Sequence, residues 1–191
     1  MPEDLRVRRT RVALRNAVIE LVEQHGFDRV TVAAICERAM VSRAGFYRHY
    51  RDKYQLVEHI FDDGAAVLVD GADEPGAADP ATRLRRFFDH VAAHDRWYRV
   101  LLGPKGSPWF AARVHRSFTG MLDARLRLDE PGADLVATVL GGMLTHTLIW
   151  WLDHGRPMSS AALASYCTAL AGAVVERAHQ LPAATAETPT C

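Results

Sequence analysis

Thr31-Val-Ala-Ala-Ile-Cys-Glu-Arg-Ala-Met-Val-Ser-Arg-Ala-Gly-Phe-Tyr-Arg-His-Tyr-Arg-Asp-Lys53 reads as two short helices joined by a tight turn, with arginines crowded on the second. In the first helix Val32, Ile35, Cys36 and Ala39 fall at i, i+3, i+4 and i+7, the spacing of one helical face and not the alternation of a strand. A core must lie beneath that face. Met40 and Val41 interrupt the run, and Ser42 can cap a new helix by accepting a hydrogen bond from an amide in its first turn. The turn is then three or four residues long, as a helix-turn-helix requires.

The second helix, about Arg43 to Tyr50, turns Phe46 and Tyr50 inward and leaves Arg43, Ala44, Tyr47, Arg48 and Arg51 outside. Such a basic and aromatic face suits a recognition helix. Arginine forks donate in pairs to guanine O6 and N7 in the major groove, while Tyr, Ser and backbone amides hold phosphates. The small residues Ala44 and Gly45 let the backbone come close to a duplex. Asp52 can cap a further helix with Gln55 three residues on, as in a capping box, and Lys53 then sits in the first turn beside a possible phosphate. Taken alone, these residues also fit an ordinary amphipathic helix with a solvated arginine face.

The order of residues resembles the start of the TetR family of bacterial transcriptional regulators. The likeness runs from Thr10 to about Phe61: Ala17-Val-Ile-Glu-Leu21, Gly26-Phe27, Thr31-Val32, Ile35, Ala39, Val41-Ser42, Phe46-Tyr47-Arg48-His49-Tyr50 and Asp52-Lys53. It implies an all-α protein, with an N-terminal three-helix helix-turn-helix domain (residues 1–50) and a C-terminal helical bundle for dimerisation and ligand binding (residues 51–181). Residues 182–191 are expected to be a disordered tail. The candidate DNA contacts are Thr31, Ser42, Arg43, Ala44, Gly45, Tyr47, Arg48, His49 and Lys53. One position departs from the family pattern: Met40 stands where the turn usually has Gly, so a left-handed backbone there would cost about 1–2 kcal/mol.

Charge supports the same placement. The chain of 191 residues is neutral overall, with 23 cationic and 23 anionic side chains. Residues 1–53 nevertheless hold 11 Lys plus Arg against 7 Asp plus Glu, a net of +4, which leaves −4 for the rest. The phosphate-facing end is therefore the N-terminal one. Arg6, Arg8, Arg9 and Arg11 form an arm that either reaches the duplex or is simply solvated. Three widely spaced cysteines, Cys36, Cys167 and Cys191, read as reduced thiols, and no signal-peptide pattern opens the chain, so a cytoplasmic protein is expected.

Farther along, a first helix from about Leu5 to His25 stops at Gly26, and a fourth from Asp52 to about Val69 links head to body; the resemblance gives that helix the role of transmitting a ligand signal. Residues 71–80 are a loop by composition, and Asp79-Pro80 opens a helix on which Leu84, Phe87, Phe88 and Val91 form one face. Helices follow around Trp97–Leu101, from about Ser107 to Leu128, from about Pro131 to His154, and from a Ser159 cap to about Gln180. The eighth is apolar nearly all round from Leu135 to Leu152. About 18 residues is short of the roughly 20 a membrane span needs, and Thr138, Gly141, Gly142, Thr145, His146 and Thr147 dilute it, so burial in a bundle is expected instead of a membrane. Ala137, Gly141 and Thr145 make a small-residue stripe for close helix approach. In TetR-like proteins the last two helices of each subunit build a four-helix bundle across a two-fold axis, which implies a homodimer through them.

The candidate effector pocket gathers Phe87, Phe88, Val91, Trp97, Trp109, Phe118, Met121, Met143, His146 and Trp150. This set favours a small apolar or aromatic effector oriented by one or two polar groups, although most of its aromatic members also suit an ordinary core. His90 and His94 lie four apart, yet no carboxylate or thiol nearby completes a metal site. No G-x-S-x-G, P-loop or G-x-G-x-x-G occurs. We therefore expect no catalytic residues, no metal and no cofactor. The function expected is a repressor released from a palindromic operator; an activator, a ligand-independent regulator, or a helical carrier or enzyme that keeps the helix-turn-helix as scaffold are the alternatives.

Overall fold

The computed structural model describes residues 5–69, 79–123 and 132–181, all of it helix, turn and bend with no strand among the described residues. Among the described residues nine α-helices follow in order: α1 Leu5–His25, α2 Val32–Ala39, α3 Arg43–Tyr47, α4 Lys53–Val69, α5 Pro80–Ala93, α6 Asp95–Leu102, α7 Pro108–Asp123, α8 Gly132–Asp153 and α9 Ser160–Ala178. A single 3-10 turn, Phe27–Arg29, separates α1 from α2. Residues 71–78 of the expected loop, residues 124–128 of the expected seventh helix, and the expected tail 182–191 lie outside the described residues.

Helix starts are set by side-chain caps. Thr31, Ser42, Asp79 and Ser159 each accept from amides in the first turn of the helix that follows. Capping of this kind contributes about 1 kcal/mol per helix. Pro80 at the start of α5 has no amide to leave unpaired there.

One apolar core runs through the molecule. Leu14, Val18, Leu21 and Val22 of α1 meet Phe27, Ile35, Phe46 and Tyr50 to close the head; Phe61, Phe87, Tyr98, Phe110 and Phe118 fill the body. The body rings meet edge to face, with Phe61–Phe110 centroids 5.6 Å apart and Phe87–Phe118 5.4 Å apart, an arrangement that adds to area burial.

Helix α8 is long and apolar enough to cross a membrane by length and composition, and here it packs between α7 and α9. Its small-residue stripe faces inward: a β-carbon at Gly141 would meet the Thr119 hydroxyl and the His115 ring of α7. Thr145 donates to the Gly141 carbonyl at 2.7 Å. The close approach made possible by Ala137, Gly141 and Thr145 is therefore to α7 of the same chain.

Candidate nucleic-acid interface

The turn between α2 and α3 is a Schellman motif. Met40 has φ 54° and ψ 38°, the left-handed conformation its position implied. The Met40 amide donates to the Glu37 carbonyl at 3.2 Å and the Val41 amide to the Cys36 carbonyl at 2.9 Å, which satisfies the last carbonyls of α2. Met40 is 93% exposed, so its side chain offsets none of the backbone cost by packing.

Helix α3 ends at Tyr47, shorter than the span expected to Tyr50, and the chain turns through Arg48 and His49. The Phe46 and Tyr50 rings anchor it from below, both buried and 5.5 Å apart. That anchoring leaves Ser42, Arg43, Ala44, Tyr47, Arg48 and His49 exposed on the other side. Gly45 is only half exposed: a β-carbon there would come within 3.0 Å of the Ser42 hydroxyl, the group that accepts from the Gly45 amide at 3.0 Å. Its lack of a side chain thus serves the cap before it serves any approach to DNA. Thr31 is exposed at the start of α2, with its hydroxyl oxygen accepting from the Ala34 amide at 3.2 Å. Burial pushes the Cys36 thiol pKa up, with the Arg43 charge opposing it, so this thiol is an inert core group.

Lys53 departs from the phosphate role expected of it. Its ammonium donates to the carbonyl oxygens of Phe27 at 2.8 Å, Asp28 at 3.2 Å and Val30 at 3.0 Å, which uses all three protons. It also lies over the Phe27 and Tyr54 rings. Desolvation lowers the Lys53 pKa, partly opposed by Asp28. The side chain closes the 3-10 turn; sequence spacing could not show that, because its acceptors lie more than twenty residues earlier. Asp52 caps α4 as expected, accepting from the Gln55 amide at 2.8 Å, while Gln55 reaches one residue past the capping-box position and accepts from the Arg51 amide at 2.7 Å.

An open concavity of about 760 Å³ lies beside α3, bordered by Thr10, Arg11, Ser42, Arg48, His49 and His59 among others. His59 was not singled out from the sequence. Its ring meets Tyr50 at 5.5 Å, and its place nine residues beyond the buried Tyr50 carried no motif to flag it.

The ten candidate effector residues do not share one surface. Phe87, Phe88, Val91 and Phe118 are fully buried in the core, with the Phe87 ring against those of Phe88 and Phe118. Trp109 lies between head and body, 6.4 Å from Phe27 and 4.9 Å from Tyr54. Trp97 is buried under α1, and Met121 and Met143 are half-buried. His146 and Trp150 are exposed on the outer side of α8, His146 donating from Nδ1 to the Gly142 carbonyl at 2.9 Å. Periodicity could not separate the two apolar sides of α8, and it placed these two on the wrong one.

Residues 14–60 match the family model described as bacterial regulatory proteins, tetR family. The Bacillus subtilis (strain 168) protein named Uncharacterized HTH-type transcriptional regulator YxbF is 34% identical over 68 residues, which are 35% of this chain and 18% of that one. From the same organism, Uncharacterized HTH-type transcriptional regulator YdeS is 34% identical over 82 residues, 41% of each chain. The matches thus span less than half the length of these relatives. The solved structure of a TetR transcriptional regulator from Streptococcus agalactiae 2603V superposes with a TM-score of 0.63 at 24% identity, covering 87% of this chain and 95% of that one. Its head thus matches the family of bacterial regulatory proteins, tetR family, over residues 14–60, and its helical fold is that of the solved TetR transcriptional regulator.

Proposed function

We propose that the protein binds double-stranded operator DNA as a homodimer and represses transcription in the cytoplasm until a small effector releases it. The observation that carries this reading is the exposed Arg43, Tyr47, Arg48 and His49 edge of a helix anchored from beneath by Phe46 and Tyr50. Residues 1–50 are the DNA-binding head and 51–181 the dimerisation and effector domain. Arg43 reads base edges, while Thr31, Ser42 and Tyr47 hold phosphates.

The dimer is supported by an apolar outer surface on the last two helices. Leu135, Val139 and Trp150 of α8 and Tyr166 and Leu170 of α9 are all exposed. Beside them Ala161, Ser165, Ala169 and Ala173 keep α9 slim, so a second copy can come close.

An effector of mainly apolar character is supported by Tyr98. Its hydroxyl is buried among Phe61, Phe87 and Phe110 with no hydrogen-bond partner among the described residues, and burial holds its pKa well above the usual tyrosine value, so it stays a donor. A molecule that parts these rings and brings one acceptor would satisfy it. Release then follows from the effector's differential affinity for two arrangements of the helices.

Selection of bound DNA from a random pool at fixed salt tests the reading. Enrichment of a palindrome is expected, with a promoter carrying it silenced when the protein is present. No enrichment would leave the helix-turn-helix as scaffold, and a promoter that rises would make the protein an activator.

A further inference from the structure

We propose a second binding site, for a small organic monocarboxylate, in the cleft between α1 and the α5–α6 pair; its effect on operator affinity rests on the regulatory reading above, its existence does not. The cleft is about 220 Å³ and is bordered by Arg8, Val12 and Arg15 of α1, Ile60 of α4, His94 at the α5–α6 junction and Trp97 of α6. Arg11 and His90 border it as well and are already engaged.

Its chemistry is one-sided. The arginine side chains and the Trp97 indole present donors only, and no carboxylate borders the cleft among the described residues. The His94 Nδ1 proton goes to the His90 carbonyl at 2.9 Å. Trp97 is 2% exposed, and its indole Nε1 is buried without a hydrogen-bond acceptor among the described residues. A buried donor left unpaired bears its full desolvation cost, so Trp97 is the feature that an acceptor would relieve. Arg8 and Arg15 are two turns apart on one face of α1 and make no ion pair among the described residues, unlike Arg38, Arg96, Arg99, Arg113 and Arg156.

The apolar wall selects among anions. Val12, Ile60 and the Trp97 ring would lie against a hydrocarbon part, which inorganic phosphate lacks. The volume falls below the roughly 300–1,000 Å³ of sites for drug-sized molecules, which limits the ligand to something of benzoate size. Guanidinium forks pair with carboxylates in two parallel hydrogen bonds, so charge and shape both favour a carboxylate end. Because Arg8 and Arg15 belong to the head and His94 and Trp97 to the body, a bound molecule would tie the two together.

Isothermal titration of the full-length protein at constant ionic strength, with benzoate, benzamide and inorganic phosphate as probes, tests the site. Benzoate is expected to bind, with benzamide and phosphate each at least about tenfold weaker, and Arg15→Gln should lose about tenfold in benzoate affinity with an unchanged circular dichroism spectrum. Benzoate should also shift operator affinity of the wild type and leave Arg15→Gln unmoved. The site is overturned if benzoate fails to bind, if benzamide or phosphate binds equally, or if Arg15→Gln binds benzoate as the wild type does. Benzoate binding with unmoved operator affinity overturns the tie between head and body. Absence of any selected operator, with benzoate binding intact, sinks the regulatory reading and leaves the site standing.

Discussion

The Lys53 ammonium donates to the Phe27 carbonyl at 2.8 Å and sits 4.5 Å above the centre of the Phe27 ring, so one side chain ties the start of α4 to the turn after α1. Trp109 joins this cluster, its ring 6.4 Å from Phe27 and nearly parallel to it. The head is thereby fastened to the body at the end of α1. Two backbone-level links reinforce it: the Phe27 amide donates to the Lys105 carbonyl at 3.0 Å, and the Lys105 ammonium donates to the Glu23 carbonyl at 2.7 Å.

Replacing Lys53 by Met should cost the head about 1–3 kcal/mol in denaturant melts, because three carbonyls lose a charged donor. The dependence of DNA affinity on salt should keep its slope, since no phosphate partner is lost. A slope smaller by about one would return Lys53 to the duplex.

Met40→Gly should stabilise the protein. At φ 54° a non-glycine residue carries about 1–2 kcal/mol of backbone cost, and the exposed thioether offers nothing in return. Part of the gain is lost to the greater freedom of glycine in the unfolded chain, so a net increase of about 0.5–1 kcal/mol is expected. Equal or lower stability in a thermal melt would mean that the Met40 side chain makes contacts only when DNA is bound.

Arg43→Ala should cost about 1–3 kcal/mol on the selected operator and relax preference at one base pair of each half-site. Equal loss on specific and random DNA would assign Arg43 to phosphate. Tyr47→Phe, by contrast, should weaken binding with the consensus unchanged.

Glu23 gives a pH signature. A charged hydrogen-bond pair with Arg96, at 2.7 and 3.0 Å, holds its carboxyl below the usual glutamate value. A depressed folded-state pKa means stability that is present above the unfolded value and lost as pH falls through the folded one. The contribution should therefore disappear as pH drops below about 4.3. Both side chains are substantially exposed, which limits it to under about 1 kcal/mol. Comparing Glu23→Gln with wild type across pH 3–7 should show a difference at neutral pH that closes on acidification; a constant difference would mean that the pair is not the cause.

Helix positions and caps were legible in the sequence because their determinants are local. Ser42, Asp79 and Ser159 precede apolar runs with helical spacing, whereas the left-handed turn at Met40 came from the resemblance to the TetR pattern and not from the methionine itself. Helix α3 ends at Tyr47, short of the expected span, although the Tyr50 amide still donates to the Phe46 carbonyl at 2.9 Å and the Tyr50 ring packs against Phe46 and His59. Contacts distant in sequence were not legible: the Lys53 acceptors, the Glu23–Arg96 pair, and the separation of the ten aromatic and polar candidates into core, junction and outer surface. Apolar character alone marks a residue for burial without saying against which neighbour, and α8 is the clearest case, with Gly141 turned to α7 and Trp150 turned away from it.

That difference between the two sides of α8 sets the test of the dimer. Leu170 is 56% exposed and Tyr166 65% exposed on α9, and Leu135 is 65% exposed on α8. Side chains of this size left to water in such number form the surface proposed to meet a second copy. Leu170→Glu places a charge where a second copy would approach, at a position already solvated in the single chain, so the isolated subunit should keep its helical content and melting temperature. Sedimentation should show a shift from dimer to monomer, and operator affinity should fall because each half-site is then bound alone. Gly141→Leu is the contrasting variant. Its side chain would drive into Thr119 and His115 within the same subunit, an overpacking that typically costs about 1–3 kcal/mol, so it should lower the melting temperature at protein concentrations where the wild type is dimeric or monomeric alike. If Leu170→Glu stays dimeric while Gly141→Leu dissociates without losing stability, the interface runs along the inner stripe of α8, and the α7–α8 packing described above is displaced in the dimer.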